Sequence, residues 1–481
     1  MSTSTEAPID PTPLSRRPTN PVDRFFQISE RGSTVQREMR GGLATFWTMA
    51  YIVVLNPIIL AGATDKFGHH LSVPQLVTVT ALAAAIMTLI MGVGGNLPLA
   101  IAAGLGLNGV VAFQLAPTMS WSSAMGLVVL EGLGIVVLVV TGLRQAIMDA
   151  IPMDLKHAIS VGIGLFIAFI GLVDAGFVTP AQGTPVQMGQ GGHLSGWPVL
   201  VFVIGMLLTF VLLVRRVPGA ILISIIVSTA LAIVINAVAD IPSKSWGLIV
   251  PALPKDPVSS PDFGLIGHFD VAGAWSQAGA VTALVFMFTL ILSDFFDAMG
   301  TIVGISAQAG LLDERGRPPR IGRVLFIDGL AAVAGGSFSA SSNTAFIESS
   351  AGVGEGARTG FANLVTAALF AGVLFLTPLA TIVPQQAATP ALVAVGFMMM
   401  TQVRHIDWTR WELAFPAFFT IVLMPFTYSI TNGIGAGFIT YVLIKTARGQ
   451  WREPGILLWI VSLFFAAYFA IGPIEQALGV K

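Results

Sequence analysis

No cysteine occurs in the 481 residues, which removes disulfides, thiolate metal sites and cysteine nucleophiles at once and says nothing about redox compartment. Charge is scarce too. Asp, Glu, Lys and Arg make up 10% of the chain, against about a quarter in soluble domains, while hydrophobic residues make up 54% and mean hydropathy is +0.83. A water-soluble fold of this composition would lack the polar surface to cover its core. The net charge of −1 offers no excess of either sign to attract a nucleic acid or an acidic partner. Histidine is confined to positions 69, 70, 157, 193, 268 and 405, in loops or at the ends of apolar runs, which argues against a histidine-based proton relay. The first forty residues contain no apolar run and hence no secretory signal. Rich in Ser, Thr, Pro and Arg, they read as a cytoplasmic tail, disordered near Met1 and forming a short amphipathic helix on the membrane surface over 22–40.

What is present is apolar length. A helix needs roughly twenty apolar residues to cross a hydrocarbon core of about 30 Å, and fourteen such runs, punctuated by charge, Gly or Pro, extend from 43–62 to 430–446. The sequence therefore predicts an all-α polytopic membrane protein with about fourteen transmembrane segments. A further run, 455–472, is either a fifteenth crossing or a helix lying partly in the interface. With the amino terminus inside, twenty of the 24 basic residues fall on the inner side, leaving Lys66, Lys244, Lys255 and Lys481 outside. That is the asymmetry expected of a correctly counted topology.

Two runs are short and polar. The third, LAIAAGLGLNGVVAFQL over 99–115, is interrupted by Gly104, Gly106 and Gly109; the tenth, GGSFSASSNTAFIE over 335–348, is built of small hydroxyl residues. Both are expected to be broken, part extended and part helical, which at membrane depth is tolerated only where protein or water covers the backbone. Lying seven runs apart, they suggest a seven-plus-seven repeat whose second copy is inverted, with a binding site near the midplane. The alternative is that Gly and Ser simply let helices pack closely.

Carboxylates at membrane depth cost about 2.5–3.5 kcal/mol on insertion scales and normally face a cavity. Asp294 and Asp297 stand three residues apart on one face of the eighth run, Glu348 follows the polar stretch of the tenth, and Asn108 lies in the third. Asp294 and Glu348 read as a functional pair. Asp297 is either functional or a helix-locking hydrogen-bond partner, and Glu131 is either a proton-relay accessory or a buried carboxyl bonded to a neighbouring helix.

The stretches SDFFDAMGTIVGISAQAGLLDERG, IDGLAAVAGG and NTAFIESSAGVGEGARTGFANLVTAALF, with TMAYIVVLNPIIL, GLGLNG and FPAFFTIVLMPFTYSITNGIGAGFITYVL, resemble the AzgA-type purine permeases, relatives of the nucleobase:cation symporters, over nearly the whole chain after residue 35. The resemblance implies a uracil-permease-like fold with substrate held between a core (spans 1–4 and 8–11) and a gate (spans 5–7 and 12–14). On this chain that gives a cytoplasmic tail over 1–41, core halves over 42–142 and 276–384, gate halves over 143–240 and 385–481, and an extracytoplasmic loop over 241–275. It also implies that Asn108, Asp294 and Glu348 contact the purine and that Asp297 serves conformational change. Where the family often carries Thr and Ser before YIES, this chain reads SFSASSNTAFIES, so Asn343 and Phe346 are candidate selectivity positions.

The chemistry agrees. A buried carboxylate with an amide partner suits the N1–H and O6 edge of hypoxanthine or guanine, whereas the N1 acceptor of adenine requires a donor. The expected function is import of purine nucleobases by proton symport in a cell (inner or plasma) membrane, with the amino terminus cytoplasmic and Glu348 and Asp297 involved in coupling. Sodium is the rival coupling ion. No cofactor, metal or nucleic acid is expected; the partners are the purine and the bilayer, with a homodimer left open. An anion permease of the same fold would want a basic residue at the midplane, and the core spans hold none. A passive channel remains an alternative, whereas an intramembrane aspartyl protease needs its aspartates on separate spans. The protein is expected to be a transporter, not an enzyme.

Overall fold

The computed structural model describes residues 20–143, 151–239, 241–314 and 317–477. The part of the tail nearest Met1, with Arg16 and Arg17, and the basic residues Arg144, Arg315 and Lys481 lie outside the described residues. The molecule is a mostly helical, multi-pass membrane protein: among the described residues, eight helical stretches are long and apolar enough to cross a bilayer, and shorter apolar helices accompany them.

The chain enters through α1 (Pro21–Phe26), capped by the Asn20 side chain, rather than through one helix over 22–40. The Asp23 carboxylate accepts from the backbone N–H and the hydroxyl of Ser29 (2.8 and 2.6 Å), folding the chain back after Gln27, which adopts φ 61°. Thr34 then caps a fresh start, α2 (Val35–Met49), which continues past an inflection at Ala50 and Tyr51 into α3 (Ile52–Gly62) as one stretch of 28 residues. Beyond α3 the loop turns on Asp65, whose carboxylate takes the N–H groups of Phe67 and His69 at 2.9 Å each.

α4 (Val73–Ile90) ends in a π-turn over Met91–Gly95. The third run then forms β1 (Ile101–Ala103) and α5 (Leu105–Val110), and α6 (Trp121–Thr141) follows under a Ser120 cap. Next come α7 (Met153–Asp174), α8 (Trp197–Val214) and α9 (Ala220–Ala239). The second half repeats the long-helix theme with α10 (Ala280–Gln308) and α11 (Ile321–Ser337). The tenth run forms β2 (Asn343–Ala345) and α12 (Ser349–Gly354), followed by α13 (Phe361–Val373). The chain closes with α14 (Pro390–Met400), α15 (Trp411–Phe426), α16 (Ile430–Ala447) and α17 (Ile456–Ala477).

Helices α3, α4, α10 and α11 pack against the two strands, with α6 on α10 and α11, α13 on α4 and α2 on α13; α7 packs with α14, α15 and α16, α15 packs with α16, and α8 and α9 lie alongside α14. Small residues make the close approaches. A Cβ added to Gly360, just before α13, would lie 1.9 Å from the carbonyl oxygen of Gly92, and one on Gly42 of α2 would lie 2.3 Å from that of Ala362. α17 packs on both α16 and α10, with the Phe465 ring against Phe438 and Phe288 and Tyr468 against Phe286.

Candidate functional site: a crossing of two broken segments

β1 and β2 pair antiparallel at the centre of the helix assembly, in the register Ile101↔Ala345, Ala102↔Thr344, Ala103↔Asn343. The ladder is lengthened by Gly104 N–H to Ser342 C=O (2.9 Å) and Phe346 N–H to Ala100 C=O (3.0 Å). Every residue of both strands is buried. Two short strands are stable here because each supplies the backbone partners that hydrocarbon would withhold, and because Ala and Gly on one side and Ser, Asn and Thr on the other let the backbones meet.

The side chains around this crossing are unusually polar for a buried site. Asn108, in α5 just beyond β1, is 0% exposed, and neither its Oδ1 nor its Nδ2 has a hydrogen-bond partner. Asp294, midway along α10, is also 0% exposed with both carboxylate oxygens unpartnered. The Thr344 hydroxyl stands between Asp294 and Asp328, 3.4 Å from Asp328 Oδ1. Buried polar groups are almost always satisfied, so such orphans mark a place built to receive something polar. Glu348 stands immediately before α12 and accepts a hydrogen bond from the hydroxyl of the wholly buried Tyr51, at the inflection between α2 and α3. Thr48 also donates to the Glu348 carbonyl at 3.2 Å.

Asp297 differs from Asp294. Its side chain is exposed and within electrostatic reach of Glu348, and Gly300 and Gly304 further along α10 face open space. Asn343 pairs with Ala103, but its amide lies toward α11, where a Cβ on Gly335 would come within 2.8 Å of its Nδ2; both amide atoms are unpartnered. Phe346 is 6% exposed within the apolar core.

Three participants were not assigned from the sequence. Tyr51 lies in TMAYIVVLNPIIL, which gives it no role of its own. Asp328 of α11 is 1% exposed and takes the Ala345 N–H at 3.1 Å. Gln114, which follows α5, accepts from the Ser429 hydroxyl (3.0 Å) and from the N–H and hydroxyl of Thr431 (3.2 and 2.7 Å), tying the third run to the start of α16. Beside it, Phe113 and Phe166 pack edge-on against Tyr428 with centroids 5.4 and 5.3 Å away. Glu131, left open between two readings, is wholly buried, and its Oε1 accepts from Ser342 at 3.0 Å.

Paired broken segments at the midpoint of a helical membrane assembly, lined by unpartnered amides and carboxylates, define a carrier of small polar solutes. Residues 36–435 match a family model described as a permease family (Xan_ur_permease). The chain belongs to this family and is a transporter, not an enzyme. It is 38% identical over 453 residues, 92% of its length, to the guanine/hypoxanthine permease PbuG of Bacillus subtilis, of which 98% is covered. It is 36% identical to the adenine permease AdeQ of Escherichia coli, over 92% of this chain and 95% of that protein. The fold is shared with the transmembrane domain of the cyanobacterial bicarbonate transporter BicA (TM-score 0.58, 17% identity, 84% of this chain and 97% of that one). It is shared too with murine Solute Carrier 26 family member A9 (TM-score 0.60, 14% identity, 86% and 68%).

Proposed function

We propose that the protein imports purine nucleobases across the cell membrane by proton symport, with its amino terminus in the cytoplasm. The observation that carries this reading is the crossing itself: Asn108 and Asp294 stand beside the strand pair with all their side-chain polar atoms unpartnered, while Glu348 is held by Tyr51. Acceptor oxygens on two carboxylates and an amide able to donate or accept match the edge of a purine. The guanine/hypoxanthine and adenine permeases among the relatives support the same substrate class. The fold neighbours that carry anions agree in fold alone, and an acidic site disfavours an anion.

In this reading the chain has fourteen crossings arranged as two inverted sets of seven, with α17 as an added segment. The core comprises 42–142 and 276–384 and the gate 143–240 and 385–481. Asn108, Asp294 and Glu348 hold the purine, Asp297 and Glu348 link occupancy to movement and proton binding, and Asn343 and Phe346 tune selectivity from behind the site. The Gln114, Phe113 and Tyr428 contacts join the third run to the start of α16, where core and gate meet in this reading. Because the purine is neutral, the proton carries the charge, and the membrane potential drives uptake by about 2.3 kcal/mol per 100 mV.

The test is uptake of labelled hypoxanthine, guanine, adenine and uracil in a host without its own nucleobase permeases, with and without a protonophore. Concentrative, protonophore-sensitive uptake outcompeted by one purine class is the expected result. Failure of any purine to accumulate, with the protein in the membrane, rejects the substrate class, and uptake that stops at equilibrium identifies a channel.

A further inference from the structure

Glu131 and Asp328 take no part in the purine contacts just described, yet the fold buries them beside Asp294. Helices α6 and α11 touch at glycines adjacent to both acids: a Cβ on Gly132 would lie 2.6 Å from the Gly329 carbonyl oxygen and 2.5 Å from the Val333 nitrogen. This approach sets Glu131 and Asp328 at one level. Segment 342–345 runs between them, with the Ser342 hydroxyl donating to Glu131 Oε1 at 3.0 Å and the Ala345 N–H to Asp328 Oδ1 at 3.1 Å. Glu131, Asp294 and Asp328 are each at most 1% exposed and lie within electrostatic reach of one another.

The donors do not match the acceptors. Glu131 Oε2 and both oxygens of Asp294 remain unpartnered. The other charged group facing the cluster is Asp297 on α10, with Glu348 beyond it. Lys156, on the neighbouring α7, is directed over the Phe296 ring, 5.7 Å from its centroid, and the acids met by the outer end of α6 are Asp270, which accepts nothing from the cluster and contacts the helix through its backbone, and Asp65, whose carboxylate takes the Trp121 N–H at 3.4 Å, ten residues before Glu131. Among the described residues no basic side chain faces the three acids, and no grouping of His, Asp and Glu is arranged to hold a metal ion. Three carboxylates this close in a low-dielectric interior cannot all carry charge; a proton shared within the set satisfies the orphaned oxygens as well.

We infer that Glu131 and Asp328, together with Asp294, form a buried carboxyl store for the coupling proton, adjoining the Asp297 and Glu348 pair. This rests on the symport reading and locates its proton. Loading forms one O–H bond between a cluster oxygen and a proton from external hydronium, leaving water; unloading breaks that bond to a water molecule on the inner side. One positive charge thus moves with each neutral purine. Because β2 is hydrogen-bonded to Asp328 and the adjoining Ser342 to Glu131, a shift of the strand on purine binding alters how tightly the proton is held. Glu131 and Asp328 act through the proton and the strand and do not touch the purine.

The test uses the purified full chain in liposomes with labelled hypoxanthine. In Glu131→Gln and Asp328→Asn, hypoxanthine binding and exchange of internal for external hypoxanthine are expected to stay within about threefold of wild type, while accumulation driven by an imposed proton gradient falls by roughly tenfold or more. Ser342→Ala keeps every acid but removes a donor that favours ionised Glu131, so the pH profile of uptake moves to more alkaline values; this variant decides the matter should neutralisation prevent folding. Gradient-driven accumulation equal to wild type in both acid variants, or an unmoved profile in Ser342→Ala, overturns the inference. So does joint loss of binding and exchange in a well-folded variant, which marks a purely structural role. A wild type that accumulates purine without a proton gradient removes the symport reading itself, a result distinguishable from variants that fail to differ from a proton-driven wild type.

Discussion

The two broken segments share one construction and differ in what they carry. Each has a three-residue buried strand and a helix of six residues, Leu105–Val110 in one and Ser349–Gly354 in the other, and each strand completes its partner's hydrogen bonds. The first segment is Ala, Gly, Leu, Ile and Val apart from Asn108, and continues to Gln114. The second carries Ser341, Ser342, Asn343, Thr344, Glu348 and Ser349, and draws Asp328, Asp294 and Glu131 around it. Close backbone contact asks for small residues on both sides, but polarity is needed on only one. Shape is therefore shared equally between the halves, whereas charge is concentrated around the second.

That division can be broken experimentally. The largest effect is expected from the charged side: Glu348→Gln and Asp294→Asn should abolish purine accumulation, a loss of about a hundredfold or more, with membrane expression intact; wild-type uptake by either would dissolve the contrast. Asn108→Ala, on the sparse side, should weaken uptake by roughly ten- to a hundredfold, in line with about 1–3 kcal/mol for an amide left without its partner, measured as a rise in the half-saturating concentration. Tyr51→Phe keeps the ring and removes only the donor to Glu348, so purine affinity should change by up to about tenfold and the pH dependence of uptake should move with it. Gly360→Ala tests shape without touching charge. Its Cβ would press on the Gly92 carbonyl, and the cost of overpacking, about 1–3 kcal/mol, should appear as a lower unfolding temperature in detergent.

The smallest effect belongs to a site remote from the crossing. Burial tends to raise the Asp65 pKa, but the N–H groups of His69 and Phe67, the His69 side chain and the Trp121 N–H outweigh it and hold the carboxyl below its ordinary value. A carboxylate depressed in this way adds stability above its unfolded pKa, and that contribution is lost as pH falls through the folded value. Asp65→Asn should therefore lower the unfolding temperature slightly at neutral pH, with the difference vanishing in acid, while leaving uptake in place.

Much of this was legible in the sequence, for a physical reason. Hydrocarbon demands long apolar stretches, so runs such as 197–214 coincide with helices to the residue, and the Gly and Ser content of 99–115 and 335–348 marks where helices must give way. Contacts between distant parts of the chain were not legible. Tyr51 meets Glu348 across 297 residues, and no local signal separates it from an aromatic facing lipid. Asp328 lies in IDGLAAVAGG, a stretch that carries the family resemblance without giving the aspartate a role, and only the fold turns its carboxylate to the Ala345 N–H. The break at Gln27 was missed because it depends on the Asp23 carboxylate folding back on Ser29, which overrides the amphipathic pattern around it.

The pairing of Ala102 with Thr344 also bears on synthesis. About 240 residues separate the two strands, and at ~5–20 residues per second the ribosome needs on the order of tens of seconds to deliver the second after the first. Throughout that interval the first strand has entered the membrane region without its ladder partner, exposing N–H and C=O groups that lipid cannot satisfy. The first half must therefore wait as an unfinished intermediate, sheltered by α4 and α6 or by the insertion machinery. A chain truncated before residue 343 should be recognised and degraded rather than stored, since it can never close its own centre.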